Sequence, residues 1–471
     1  VYNPIDKKII EALESIVGPK NVSVKEADLE KYSHDETVGL SGRVEAVVFP
    51  EETAQASKIM RLANEEMIPV TPRGAGTGLT GGAVPAYAGI VLSLEKMKRI
   101  IETDVDNLVM TVEPGLITND LQKAAEEFGL FFPGNPASSN LCSIGGNVAE
   151  CAGGLNAVKY GTTKDYICGL EAVLPTGEII HLGGKLAKDV TGFNLIQLLV
   201  GSEGTLAVVT KIMVKLLPLP KVVVELVAPF DSVEAACKTV ANIFREKIIP
   251  SSIELMDKTV VELREKAEER KFPFSGAEAV LLIELDGQHQ EAVEKDYEKV
   301  GEICMDSGAK DVGVAESKHD RERYEKFRKG IREAIQAKSP KFYGHDIVVP
   351  RTKMPEMFSK VRAISEKYGL LIVGFGHAGD GNIHFNVLKQ DMSDAEWEKR
   401  LPMVSKEIFE SAASLGGTIT GEHGIGFTRK QYMPLVLEPA VIEAMHKIKK
   451  VLDPNNILNP GKIFLEDSKE R

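Results

Sequence analysis

The spacing of glycines constrains this chain more than any other feature. Pro72-Arg73-Gly74-Ala75-Gly76-Thr77-Gly78 follows a strand-like run, and Gly81-Gly82 come shortly after. Further segments lie at Gly134 to Ser139, Ser143 to Asn147, Cys151 to Gly154, Tyr160-Gly161 and Gly201 to Thr205. Residues without a Cβ let backbone N–H groups crowd against a ligand, most often a phosphate. Gly76-Thr77-Gly78-Leu79-Thr80-Gly81 formally matches the dinucleotide fingerprint, but Gly82, Pro85 and Gly89 forbid the helix which that fingerprint needs. A pyrophosphate cradle is therefore expected and a Rossmann nicotinamide site is not. Each segment alone reads as a tight turn; together they predict a large ligand with a pyrophosphate and a flat ring system.

A second feature lies near the C-terminus. Of nine histidines, three fall in Gly376-His377-Ala378-Gly379-Asp380-Gly381-Asn382-Ile383-His384 and Gly421-Glu422-His423-Gly424. The first stretch joins two apolar runs, Leu370 to Phe375 and Ile383 to Leu388, and predicts a hairpin with both imidazoles at one end of a sheet. Two imidazoles and a carboxylate make a three-ligand site with room for substrate, as in catalytic metal centres. Glu422 can serve as the third ligand and His423 as a base; the competing reading is a pair of surface-turn histidines. The donor set suits Zn, Fe, Mn or Co alike.

Around these motifs the pattern reads as follows. Ile5, Ile9, Ile10, Leu13 and Ile16 sit at helical spacing in a lead-in over residues 1–39. Ala46 to Pro50 is strand-like, and Thr53 to Glu66 is an amphipathic helix that Thr53 can cap. Strands are predicted at 89–94, 108–112, 170–174, 179–182 and 207–217. Leu217-Pro218-Leu219-Pro220 marks a boundary, after which strand, helix and strand alternate again, as in helices on one face of an antiparallel sheet. Residues 288–307 and the highly charged 316–338 are expected to be helical.

Length and composition exclude several classes. A chain of 471 residues exceeds one ordinary core, so two or three domains are expected. The net charge of −12 argues against a nucleic-acid partner. No apolar run reaches the ~20 residues of a membrane span. Val1 to Lys8 has charges without an apolar core or cleavage site, so no signal peptide is expected and a cytoplasmic location is, membrane-peripheral only through a partner. Cys142, Cys151, Cys168, Cys237 and Cys304 show no Cys-x-x-Cys spacing, which argues against disulfides and against an iron–sulfur cluster of the chain's own.

Pro72 to Gly78, Ser143 to Gly154, Gly201 to Thr205, Gly376 to His384, Gly421 to Gly424 and Asp453 to Lys462 resemble, in order and over nearly the whole chain, the FAD-linked D-2-hydroxy-acid dehydrogenases. That family includes D-lactate dehydrogenase, D-2-hydroxyglutarate dehydrogenase and the corresponding polypeptide of bacterial glycolate oxidase. The resemblance implies an α+β fold. A vanillyl-alcohol-oxidase-like FAD-binding domain of two subdomains over 40–219 precedes a ferredoxin-like antiparallel-sheet cap carrying the metal site over 220–450. A tail over 451–471 returns to the FAD domain. FAD is implied to contact Pro72, Arg73, Gly74, Ala75, Gly76, Thr77, Gly78, Pro136, Ser143, Ile144, Gly145, Gly146, Asn147, Gly153, Gly154, Tyr160, Gly161, Glu203, Gly204 and Asn459. Some relatives attach flavin through a His or Cys beside the glycine loop; none lies between Thr71 and Gly89, so non-covalent FAD is expected. A divalent metal (Zn, Fe or Mn) on His377, His384 and Glu422, His423 as base, and Arg328 as carboxylate anchor complete the implied site. The implied reaction oxidises D-lactate or glycolate to the 2-oxo acid. Electrons then pass to an electron-transferring flavoprotein, an iron–sulfur subunit or a quinone.

The chain departs from the hydroxyglutarate-specific pattern. Those relatives carry Thr four residues after the arginine and Lys two residues before the aspartate matching Asp346, where Arg332 and Gly344 stand here, so a second substrate carboxylate either loses its partner or finds one in Arg332. The alternatives kept open are D-2-hydroxyglutarate as substrate, a metallohydrolase, and an electron-relay subunit with a vestigial site. Arg328 itself also reads as an ordinary exposed arginine on a charged helix.

Overall fold

The helix Thr53–Glu65 buries Ala56, Ile59, Met60 and Ala63, the i, i+3, i+4, i+7 stripe that its sequence spells. Each of its large apolar side chains contributes roughly 1.5–3 kcal/mol by leaving water. Thr53 is not its cap. Glu52 occupies the N-cap without a side-chain bond, and the Thr53 hydroxyl is instead engaged by Glu171. This is a computed structural model, and it describes residues 2–315 and 317–465. By internal contacts the chain divides into two compact units. The first is Val1–Gly153, Thr162–Leu219 and Glu422–Arg471; the second is Gly154–Gly161 and Pro220–Gly421. Residues 422–450, grouped with the cap in the sequence reading, thus cluster with the first unit.

The first unit holds two main sheets. One has the order Val22–Ser23, Ala46–Val48, Ile90–Ser93, Val70–Arg73, its last three strands parallel. The lead-in therefore supplies an edge strand as well as the helix Lys7–Val17. No helix begins between Arg73 and Ile90, where the chain passes from one parallel strand to its neighbour. The other sheet is antiparallel: Ile100–Asp104, Val109–Val112, Val208–Lys215, Ile167–Val173, Ile179–Gly183. Val70 donates to the Ile457 carbonyl and accepts from Asn459 N–H, both at 2.7 Å. That places Ile457 and Leu458 in the same core as Leu13, Ile59, Ile90 and Val208.

The second unit is built on a seven-stranded antiparallel sheet. Its order is Gly313–Ala315, Val222–Phe230, Ala279–Gly287, Ser252–Asp257, Leu371–His377, Asn382–Leu388, Phe342–Val348. Residues directly opposite across an antiparallel pair share a face. The pairings Glu254↔His377, Phe375↔His384 and His384↔Asp346 therefore set those side chains on one face. Val227, Met256, Leu282 and Phe375 pack there with Phe327, Ile331 and Ile335. Phe327 belongs to the helix Lys318–Lys329 and the two isoleucines to Ile331–Lys338. Among the described residues no helix is long and apolar enough to cross a membrane.

Candidate active site

In the first unit the strand Val70–Arg73 delivers the glycine loop. The backbone N–H groups of Gly74, Ala75, Gly76, Thr77 and Gly78 have no protein acceptor among the described residues. Five successive donors without acceptors, four of them half-buried, fit the oxygens of a pyrophosphate. Arg73 is committed to the protein: its guanidinium donates to the His34 carbonyl at 2.7 Å and lies over the Tyr32 ring. Burial lowers its pKa, against the opposing pull of Asp35. Gly76, at φ +73°, leaves the space that this guanidinium fills.

The remaining expected contacts divide into those facing the loop and those serving packing. Ser143 caps the helix Ile144–Glu150 by accepting from Gly146 N–H at 3.3 Å, and Gly74 packs against its hydroxyl. Asn147 donates to the Thr118 hydroxyl at 2.7 Å. A Cβ on Gly145 would stand 2.5 Å from Pro114 Cβ, and one on Gly204 2.8 Å from Pro72 Cγ, so both glycines serve close approach of protein to protein. The Pro136 carbonyl accepts from Ser139 N–H at 2.9 Å. A Cβ on Gly153 would stand 3.1 Å from Glu422 Oε2. Gly154, Tyr160 and Gly161 belong to the second unit, where the Tyr160 hydroxyl donates to Asp286 at 2.6 Å. Glu203 accepts from Ile425 and Gly426 N–H at 2.7 and 2.6 Å, which fixes the turn after His423. Asn459 donates to the carbonyls of Gly82 and Glu203 at 3.0 and 2.9 Å.

Glu150 was not singled out from sequence. Its Oε2 is shut off from solvent with no hydrogen-bond partner. A Cβ on Gly82 would stand 3.1 Å from its Oε1, and Gly424 packs against its Oε2. Burial first, then the charges of Glu203 and Asp35, push its pKa well up. An acidic residue inside Gly145-Gly146-Asn147-Val148-Ala149-Glu150 was the available signal.

In the second unit His377 and His384 flank the turn closed by Gly381, at φ +84°, and their ring centroids are 5.3 Å apart. Glu254, 1% exposed, takes His377 Nδ1 at 2.6 Å on Oε1 and Arg328 Nε at 2.5 Å on Oε2. Burial pushes the Glu254 pKa up, but Arg328 and His377 outweigh it and hold the group below its ordinary value. Arg328 is 3% exposed and stacks 4.8 Å from the Phe375 ring centroid, so it is no surface arginine. Its terminal nitrogens have no protein acceptor among the described residues. Asp346 is fully buried. It accepts from Asn382 Nδ2 at 2.8 Å, the Thr420 hydroxyl at 2.8 Å and Gly421 N–H at 2.9 Å, with His384 Nδ1 at 3.6 Å. Gly421 is thereby fixed, and Glu422 and His423 are the next two residues along the chain. Their carboxylate and imidazole lie 3.7 Å apart. Asp346 with His384, and Glu422 with His423, offer carboxylate and imidazole donors of the kind a divalent cation takes.

The fold is that of vanillyl-alcohol-oxidase-like flavoproteins. It superposes on p-cresol methylhydroxylase with a TM-score of 0.81 at 18% identity, covering 98% of this chain and 96% of that one. Residues 44–183 match the FAD binding domain family, and residues 219–463 match the family of FAD linked oxidases, C-terminal domain. Glycolate oxidase subunit GlcD of Bacillus subtilis (strain 168) is 41% identical over 467 residues, 99% of each chain. D-lactate dehydrogenase of Anaerostipes hadrus is 38% identical over 468 residues, 98% of each. The chain belongs to the FAD-linked 2-hydroxy-acid dehydrogenase family and is an FAD-linked oxidoreductase.

Proposed function

We propose that the protein oxidises a small D-2-hydroxy acid, D-lactate or glycolate, to the 2-oxo acid. It does so with non-covalent FAD and with a divalent cation (Zn, Fe or Mn) on His377, His384 and Glu422. The observation that carries this reading is Arg328: a buried guanidinium pinned through Nε, whose terminal nitrogens lack a protein acceptor among the described residues. These nitrogens are not among the side-chain atoms sealed from solvent, so a ligand can reach them, and a carboxylate matches the guanidinium fork with two parallel bonds. Arg328 then fixes the acid end of the substrate. The substrate hydroxyl loses its proton to His423, whose imidazole suits base work near neutral pH. The C2 hydrogen leaves with its electron pair. Bound FAD supplies the two-electron acceptor. A cation held by two imidazoles and a carboxylate supplies a Lewis acid that favours the alkoxide. Arg332 and Gly344 stand where hydroxyglutarate-specific relatives carry Thr and Lys, which favours a monocarboxylic substrate. The reduced flavin then passes its electrons to an electron-transferring flavoprotein, an iron–sulfur subunit or a quinone.

Anaerobic mixing of the purified holoprotein with D-lactate, glycolate and D-2-hydroxyglutarate tests the reading. Flavin absorbance should bleach with the first or second. Bleaching by D-2-hydroxyglutarate alone overturns the substrate, and rapid bleaching after complete chelation overturns the metal.

A further inference from the structure

Glu254 lies in the strand Ser252–Asp257, opposite His377 in register, and its two oxygens go to two different partners. Both partners are buried, and both belong to the site proposed above. We infer that Glu254 is a positioning residue which couples substrate anchoring to metal binding, holding Arg328 through one oxygen and the His377 tautomer through the other. The inference rests on the proposed function and names a residue that neither the motifs nor the family resemblance pointed to.

The chemistry follows from donor and acceptor roles. Arg328 Nε can only donate, so Oε2 must accept. An ionised carboxylate offers only acceptors, so His377 presents Nδ1–H to Oε1 and carries its lone pair on Nε2, the nitrogen it can offer a cation. Carboxylate–imidazole–metal chains orient ligands in this way, and loss of the outer carboxylate typically lowers metal affinity about 10–100-fold. Here the same carboxylate also holds the guanidinium through Nε, which leaves its terminal nitrogens for the proposed substrate.

Glu254→Gln is the discriminating change because it is nearly isosteric. An amide has one acceptor oxygen and one NH2. If the oxygen keeps Arg328, the NH2 faces His377 Nδ1, which must then accept and move its proton to Nε2. If the oxygen keeps His377, a donor faces Arg328 Nε–H and the arginine shifts. The experiment strips the holoprotein with a chelator, titrates Zn2+ back against a fluorescent competitor, and measures kcat and KM for D-lactate with an artificial acceptor. The expected result is normal FAD content, with either Zn2+ affinity about 10–100-fold lower or KM raised well beyond the change in kcat. Glu254→Asp keeps two acceptors but falls one methylene short. It should lose less Zn2+ affinity than Gln, and it carries the test if Gln does not fold. Wild-type Zn2+ affinity and wild-type KM in a folded variant overturn the inference while leaving the proposed function standing. Wild-type protein that binds no Zn2+ overturns the metal reading, and with it the coupling.

Discussion

Gly76→Ala separates what the shape of the glycine loop contributes to FAD binding from what it contributes to folding. Gly76 sits at φ +73°, and a Cβ there meets the Arg73 guanidinium. Holding alanine in the left-handed region costs about 1–2 kcal/mol. Moving Arg73 aside also weakens its 2.7 Å bond to the His34 carbonyl, a charge-assisted bond worth about 1.5–3 kcal/mol. If the loop yields instead of Arg73, its N–H groups leave their places. About 2–3 kcal/mol is then lost from cofactor binding, a roughly 30- to 150-fold weaker Kd. Gly129→Ala is the control, because it has φ +68° and nothing within 4 Å of the added Cβ. It bears the strain alone and should lower Tm while binding FAD normally. Titrating each apoprotein with FAD, followed by quenching of flavin fluorescence, gives the comparison. The same Kd for Gly76→Ala, Gly129→Ala and the wild type would refute the placement of the pyrophosphate on this loop.

Arg328→Lys keeps the charge and loses the fork, so kcat/KM for D-lactate should fall about 10- to 100-fold with FAD content unchanged; unaltered efficiency would pass the role to Arg332. Glu422→Ala should lose metal, whereas His423→Ala should keep metal and FAD but slow flavin reduction by about 10²–10⁴; elemental analysis with anaerobic reduction reads both, and the reverse pattern exchanges the assignments. Acid precipitation should release all the FAD, and flavin left on a tryptic peptide would show a covalent bond. Glu225 faces Glu284 across two strands, and burial, then the Glu284 and Glu325 charges, push it up to about 9. Its unfolded carboxyl titrates at about 4.3. The folded state therefore holds an extra proton between these values and loses stability as pH rises through them. Glu225→Gln should flatten the fall of Tm between about pH 5 and pH 9, and an unchanged slope would exonerate Glu225.

The histidine hairpin was legible because apolar runs flank a loop of small and acidic residues, and the observed strands Leu371–His377 and Asn382–Leu388 differ only at their ends. Glu254 was not legible. In Ser252-Ile253-Glu254-Leu255-Met256 a lone acid alternates with apolar residues and reads as solvent-facing; helices from elsewhere in the chain, the one carrying Arg328 among them, turn that face inward. The strand Ile100–Asp104 escaped notice because its burial is weak, with Ile100 and Ile101 exposed on a sheet edge. Thr53 fits a local capping rule, but Glu171, far along the chain, takes its hydroxyl and Glu52 stands at the N-cap. Gly145 and Gly76 look alike in sequence, yet one makes room for Pro114 and the other for the Arg73 guanidinium. Only the neighbours of a missing Cβ distinguish the two uses.

The charges on one face of the second unit's sheet bear on whether its site is working or vestigial. Glu254, Asp346, His377 and His384 share that face, and Arg328 reaches it from a helix. Replacing a buried ion pair with well-packed apolar side chains is commonly neutral or stabilising, whereas removing one partner costs about 3–5 kcal/mol. Stability alone therefore gives no reason to assemble this set. A subunit that only relays electrons between flavins could fill the space around Phe375 and Phe327 with more of the same apolar core. A carboxylate that shares its two oxygens between an arginine and a histidine is what the proposed substrate would need, since a 2-hydroxy acid carries an acid group beside a coordinating hydroxyl. The relay reading predicts that Glu254→Gln leaves the flavin spectrum unmoved by pyruvate or oxamate in both proteins. The working-site reading predicts a perturbation in the wild type that weakens in the variant.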